Sequence, residues 1–230
     1  MVKFLKFVIA LLLLPCVWVS VRVLYEIAAV SVRGELPWMS LVLFASGFLL
    51  WLLLYLTTNR LTSLYVFQHE ATHALAVWTS GGKVSKFHVS EGGGHIVADR
   101  TSTWISLAPY ILPLYPLITG LLWALLLWIH PPSLAWTPYF LFVWGIIWSF
   151  HFSFTISLLK TEQTDFSSQG YLFSWLIIAL SNIWMLTLIL WVWLSPMPLW
   201  QLLEMAGQFT VETYRSLCEL ALGLVQISKI

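Results

Sequence analysis

The sequence predicts an all-α polytopic membrane protein with a short glycine-rich β-hairpin among its helices, and three observations lead there. Only 9% of the 230 residues are charged and 60% are hydrophobic, with a mean hydropathy of +0.86. A soluble domain carries about 25% charged residues, so lipid must be the solvent for most of this chain. Apolar stretches recur at close to the roughly 20 residues that a helix needs to cross a bilayer. Fifteen tryptophans, within an aromatic content of 16%, supply amphipathic rings for two interfacial belts. The implied partner is therefore the lipid bilayer; a net charge of +1 gives no basis for nucleic-acid binding.

About six spans are expected, at 4–29, 38–58, 61–79, 104–129, 138–159 and 170–194. Lys3 and Lys6 ahead of Phe7–Leu14 look like the start of a secretory signal. No small-x-small cleavage site follows and the apolar run continues through Val23, so an uncleaved first span is expected. Within it Arg22 and Glu26 lie one turn apart, a spacing that lets them pair and lowers the cost of placing charge near lipid. Cys16 and Cys218 sit far apart without other ligand types nearby and read as small apolar fillers. Breaks fall at Arg33-Gly34-Glu35 with Pro37, at Asn59-Arg60 and at Pro131-Pro132. The basic residues divide evenly between the two sides of this layout, so the positive-inside rule gives no orientation.

After the third span, Gly81-Gly82 marks a helix end. Val84, Phe87-His88-Val89 and His95-Ile96-Val97 then flank Glu91-Gly92-Gly93-Gly94, short β-prone runs around a glycine turn that read as a hairpin. Hairpin edges cannot face lipid, so this one belongs at the interface or against a protein cavity, its edge at Val84–Ser90 open to an extended peptide. The tail from about 197 to 228 mixes apolar residues at helical spacing with Glu204, Glu212, Arg215 and Glu219, the pattern of an amphipathic helix on the membrane surface. In sequence order the chain divides into two N-terminal spans (1–59), a core with the motif, hairpin and three further spans (60–195), and the interfacial tail (196–230).

Chemistry concentrates in His69-Glu70-Ala71-Thr72-His73. Helix positions i and i+4 share a face, so His69 and His73 can offer two imidazole nitrogens to one ion. Glu70 projects elsewhere and can act on water without being a ligand. Zinc hydrolases have this arrangement: three protein ligands, an open position and a carboxylate that moves protons. Two histidines and a glutamate in an apolar span would be costly without a function. The third ligand is open between Asp165, which requires residues 161–168 to dip into the protein, and His151, which lies at a similar depth to the motif histidines. Asp99 is the only other aspartate. Glu162 reads as a solvated loop charge, His88 and His95 as hairpin surface residues, and His130 as interfacial.

Phe67-Gln68-His69-Glu70-Ala71-Thr72-His73-Ala74, the hairpin from Gly81 to Gly94, Ser106-Leu107-Ala108-Pro109-Tyr110 and Thr164-Asp165-Phe166 together resemble the site-2 protease group of membrane metallopeptidases, in its small M50B-like branch. The resemblance covers roughly residues 60–190. It implies zinc held by His69, His73 and Asp165, with Glu70 as acid and base. Better-known members carry Leu-Asp-Gly with an Asn-x-x-Pro lead-in where this chain has Thr164-Asp165-Phe166. The expected activity is hydrolysis of peptide bonds in membrane-embedded or membrane-adjacent proteins, in a multi-pass protein of a bacterial cytoplasmic membrane. The alternative is a catalytically inactive metal-binding or regulatory membrane protein.

Overall fold

The computed structural model describes residues 2–33, 38–58, 62–90, 93–160, 164–194 and 197–227. The expected breaks at 34–37 and at Asn59-Arg60, the hairpin turn at Glu91-Gly92, and Glu162 lie outside the described residues. In chain order the elements are α1 (Val2–Arg33), α2 (Trp38–Thr57), α3 (Thr62–Thr79), β1 (Val84–Ser90), β2 (Gly93–Ala98), α4 (Thr103–Ile111), α5 (Leu114–Ile129), a 3₁₀ turn (Pro131–Trp136), α6 (Thr137–Leu159), α7 (Thr164–Gln169), α8 (Tyr171–Leu194) and α9 (Leu199–Ile227). Two compact units form, and they are not consecutive in sequence: Met1–Leu36 joins Gly170–Ile230, and Pro37–Gln169 stands as the other.

Among the described residues four helical segments are long and apolar enough to cross a membrane: Val2–Ser31, Trp38–Thr57, Leu134–Leu159 and Tyr171–Leu194. A fifth crossing arises if α4 and α5 count as one span, bent by 66°. The expected single helix over 104–129 is thus broken. Pro113 and Pro116 lack the N–H groups that would bond back to residues 109 and 112, so the ladder stops where Leu112 N–H meets the Ala108 carbonyl at 2.8 Å. The other departure from six spans is α3, which is not among these segments; Gln68, His69, Glu70 and His73 dilute its apolar content.

In the unit 37–169, α2 and α6 cross backbone to backbone. A side chain at Gly47 would strike the Phe142 carbonyl, and one at Gly145 the Phe44 carbonyl. Small residues permit such approach where no hydrophobic force drives helices together. Trp51 donates from Nε1 to the Ser153 hydroxyl at 3.0 Å. Its ring packs with Tyr65 and Phe150, which fastens α3 to the pair. The Tyr65 ring stacks on Phe154 at 4.4 Å, fixing where its hydroxyl points.

As expected from Gly81-Gly82, α3 ends there. Gly81 adopts a positive φ of 71°, its N–H bonding to Trp78 while Gly82 bonds to Val77 at 2.8 Å, the paired closure of a Schellman motif. The chain is thereby turned back onto α3. Strands β1 and β2 pair antiparallel, with Phe87 opposite Ile96 and His88 opposite His95. Lys83 and Asp99 close the base: the Lys83 N–H donates to the Asp99 carboxylate at 2.9 Å. Val84, Ile96 and Ala98 then pack on Ala76, Val77, Ile105 and Ala108, joining hairpin, α3 and α4.

The other unit holds α1, α8 and α9 around Val19, Val23, Ile27 and Leu202. Leu202 packs among Val19, Val23 and Ile27, Arg22 meets Glu212, and Tyr214 donates to the Leu12 carbonyl, so α9 runs antiparallel along α1. Arg22 is paired with Glu212 at 3.3 Å and lies over the Phe209 ring at 3.8 Å, in place of the expected Glu26 pairing. Helical spacing identified the apolar face of this tail; what covers that face is another helix of the same chain. Cys16 and Cys218 are free thiols, Cys16 lying 3.4 Å from the Tyr214 hydroxyl.

Candidate metal centre

One turn of α3 places His69 and His73 on a common face, with their Nε2 atoms 3.2 Å apart. From 92 residues further along the chain, α7 brings Asp165, whose Oδ2 lies 3.5 Å from His69 Nε2 and 3.4 Å from His73 Nε2. These residues offer three ligand atoms within 4.8 Å of one another and could hold a metal ion. Ligands about 2.0–2.1 Å from a tetrahedral zinc are separated by about 3.3–3.4 Å. The observed spacings of 3.2, 3.4 and 3.5 Å match those edges. They are long for direct hydrogen bonds, which cluster near 2.9 Å.

Tautomers sharpen the point. His73 Nδ1 stands 2.7 Å from the Ile105 carbonyl, which can only accept, so Nδ1 carries the proton and donates. In the neutral ring Nε2 is then a bare lone pair aimed at the other two ligand atoms. His69 Nδ1 is held by the Tyr65 hydroxyl at 3.3 Å. Two imidazole lone pairs and a carboxylate oxygen cannot share one small space unless a proton or a cation lies among them. With the proton on an imidazole, Asp165 is ionised: burial pushes its carboxyl up, but hydrogen bonds with His69 and His73 outweigh burial and hold it well below the usual carboxylate range. Either way, Asp165 presents a charged oxygen suited to a hard or borderline cation.

The backing groups are Tyr65, one turn before His69, and the α4 groups Ile105 and Tyr110. Tyr110 is fully buried and its hydroxyl donates to Asp165 Oδ2 at 2.9 Å. Partners of this kind orient metal ligands and fix their tautomers. Residue types and spacing leave Tyr110 and the Ile105 carbonyl unmarked; Tyr65, four positions before His69, was recoverable from the helical period alone.

Glu70 is buried and lines the same cavity, of about 370 Å³, with His69, His73 and Asp165. Its far wall is β2, through Gly94, His95, Ile96 and Ala98. The strand bordering the cavity is therefore β2, whereas the open edge was expected on β1 at Val84–Ser90. His95, expected as a surface residue, is exposed yet reaches this wall, opposite the exposed His88 at 5.3 Å between ring centroids. Arg100, Thr101, Ile105, Ser106 and Thr164 complete the lining, all of them polar except Ile105. His151 does not join the cluster. It is fully buried on α6, with Nδ1 at 3.4 Å from Gln68 Nε2.

Gly94 is what lets β2 approach. A Cβ there would lie 2.6 Å from Glu70 Cγ, 2.7 Å from Val66 Cγ1 and 2.9 Å from the His88 carbonyl oxygen. Val66 and the carbonyl have little room to give, so Gly94→Val is expected to lift the hairpin from α3 at a cost of about 1–3 kcal/mol. Amide exchange should rise across residues 84–98; unchanged exchange in the variant would rule this packing out.

In comparisons with family models, with curated proteins and with solved structures, no match to this chain was found.

Proposed function

We propose that this chain is an intramembrane zinc metallopeptidase, akin in chemistry to the site-2 protease group, that hydrolyses peptide bonds of membrane-embedded or membrane-adjacent proteins in a bacterial cytoplasmic membrane. The observation that supports it most is the triangle of His69 Nε2, His73 Nε2 and Asp165 Oδ2, with tetrahedral-edge spacing and His73 Nδ1 already engaged. Zinc is the fitting ion because two neutral imidazoles and one carboxylate suit it, and three protein ligands leave a position for chemistry.

When bound, the ion supplies Lewis acidity, activating a water molecule and polarising a carbonyl. The remaining work falls to the protein. Glu70, free of the ligand set and facing the cavity, accepts a proton from that water and delivers it to the leaving amine. Tyr65 and Ile105 keep the two imidazoles turned towards the ion. Buried Ile105 and Ala108 of α4, with half-buried Ile96 and Ala98 of β2, pack on α3 and shield that side of the centre from water. In this reading α3 crosses the membrane with Gln68, Glu70 and His73 buried against its neighbours and Leu64, Phe67 and Trp78 turned outward, which brings the crossings to six.

Elemental analysis of protein purified without chelators tests the reading. About one zinc per chain is expected, with hydrolysis of an unstructured fluorescent polypeptide lost on chelation and restored by zinc. Protein that takes up no zinc even when it is added back would end the proposal.

A further inference from the structure

Helix α7 spans only Thr164–Gln169, far shorter than a helix that holds itself together in isolation. Yet the third donor of the metal triangle rides on it, so something else must fix α7 in place. Asp165 and Gln169 are four residues apart and share one face of that helix. Both are turned to α4. Tyr110 donates to Asp165 at 2.9 Å, and Thr103 donates from its hydroxyl to Gln169 Oε1 at 2.8 Å. Gln169 Nε2 in turn donates to the Ser106 hydroxyl at 3.3 Å, with the Ser168 hydroxyl at 3.2 Å. Thr103, Ser106 and Tyr110 follow the i, i+3, i+7 spacing of a single helix stripe. Between them Phe166 is fully buried, its ring 4.7 Å from that of Tyr110. The same short helix α4 presents the Ile105 carbonyl to His73.

We infer that Gln169, clamped between Thr103 and Ser106, is a positioning residue for the metal centre: it anchors α7 on α4 so that the Asp165 carboxylate meets the two α3 histidines. Gln169 is not among the residues lining the cavity, and it meets the cavity wall through its hydrogen bond to Ser106. It acts through the rigid stripe of α4, which references His73 and Asp165 to one element. The inference rests on the metallopeptidase reading, and it adds that the affinity of the centre is set partly by an amide remote from the ligand atoms.

The test compares wild type with Gln169→Leu, near in size but unable to hydrogen-bond, and Gln169→Glu, which accepts from both hydroxyls. Zinc affinity is measured by chelator competition, and the visible spectrum is recorded after loading with cobalt(II). Gln169→Leu should bind zinc about 10- to 100-fold more weakly, the range seen when groups backing metal ligands are removed. At saturating cobalt(II) its visible spectrum should differ from that of wild type, a change in ligand arrangement that general destabilisation does not produce. Gln169→Glu should restore both readouts to near wild type. Wild-type affinity and an unchanged cobalt spectrum in Gln169→Leu would overturn the inference while leaving the metal centre standing. Should Gln169→Leu fail to fold, the pair Thr103→Val and Ser106→Ala removes the clamp from the other side, and unchanged affinity there overturns it equally. A wild type that binds no zinc removes the metallopeptidase reading and this inference together.

Discussion

Glu70→Gln is expected to abolish measurable peptide hydrolysis while leaving about one zinc per chain in place. The carboxylate is outside the ligand triangle, so the amide should not disturb the ion. What the amide cannot do is accept a proton from water and return it to the departing nitrogen. Proton transfer by a positioned side chain contributes about 10²- to 10⁴-fold. Where the uncatalysed reaction is as slow as amide hydrolysis, that loss takes turnover below detection. Buried against β2 with Gly94 beside its Cγ, Glu70 has little freedom, and no other acidic residue among the described residues lines the cavity except Asp165. Cleavage assays paired with elemental analysis distinguish the outcomes. Full activity in Glu70→Gln would assign the acid–base step elsewhere, and a protein with an inert site would show no difference at all.

Removing a ligand should act differently. His73→Ala and Asp165→Ala are each expected to lose zinc and hydrolysis together, because two remaining donors hold a cation far more weakly than three. His151→Ala should keep its zinc, since that ring, on α6, is engaged with Gln68 of α3 and lies outside the cluster. Loss of zinc in His151→Ala with retention in Asp165→Ala would reverse the ligand assignment. Asp165→Asn is informative beside these. It keeps the shape and a neutral oxygen for Tyr110 but removes the charge, so an intermediate loss of affinity is expected.

The sequence made α3 and its termination legible because each rests on a local rule. The His69–His73 spacing is one helical turn, and Gly81-Gly82 supplies the backbone conformation that closes a helix. The two strands were readable from β-prone runs, and they pair antiparallel. Asp165 was reachable mainly by scarcity, since the chain has one other aspartate. What stayed hidden depends on non-local packing. No period marks a tyrosine within the nine residues of α4 or a glutamine at the end of the six of α7, so the roles of Tyr110 and Gln169 emerge only once α4 and α7 are seen side by side. The face of α9 was visible as a pattern, but α1 as its cover was not. Likewise Pro113 and Pro116 were in plain view within 104–129, while the sharpness of the bend they cause depends on what the two halves pack against.

The distance in sequence between the motif and its third ligand has a consequence for how the protein is made. During synthesis His69, Glu70 and His73 leave the ribosome long before Asp165, and α4, the element that references both, emerges between them. Under the proposed function a nascent chain would therefore carry a histidine pair with only weak hold on zinc. Long-range contacts of this kind close late, since loop entropy must be overcome before they reward the chain. Under the proposed function maturation is therefore timed by topology: hydrolytic competence would be withheld until α4 and α7 have joined α3, and an unfinished copy would have no means of cutting its neighbours.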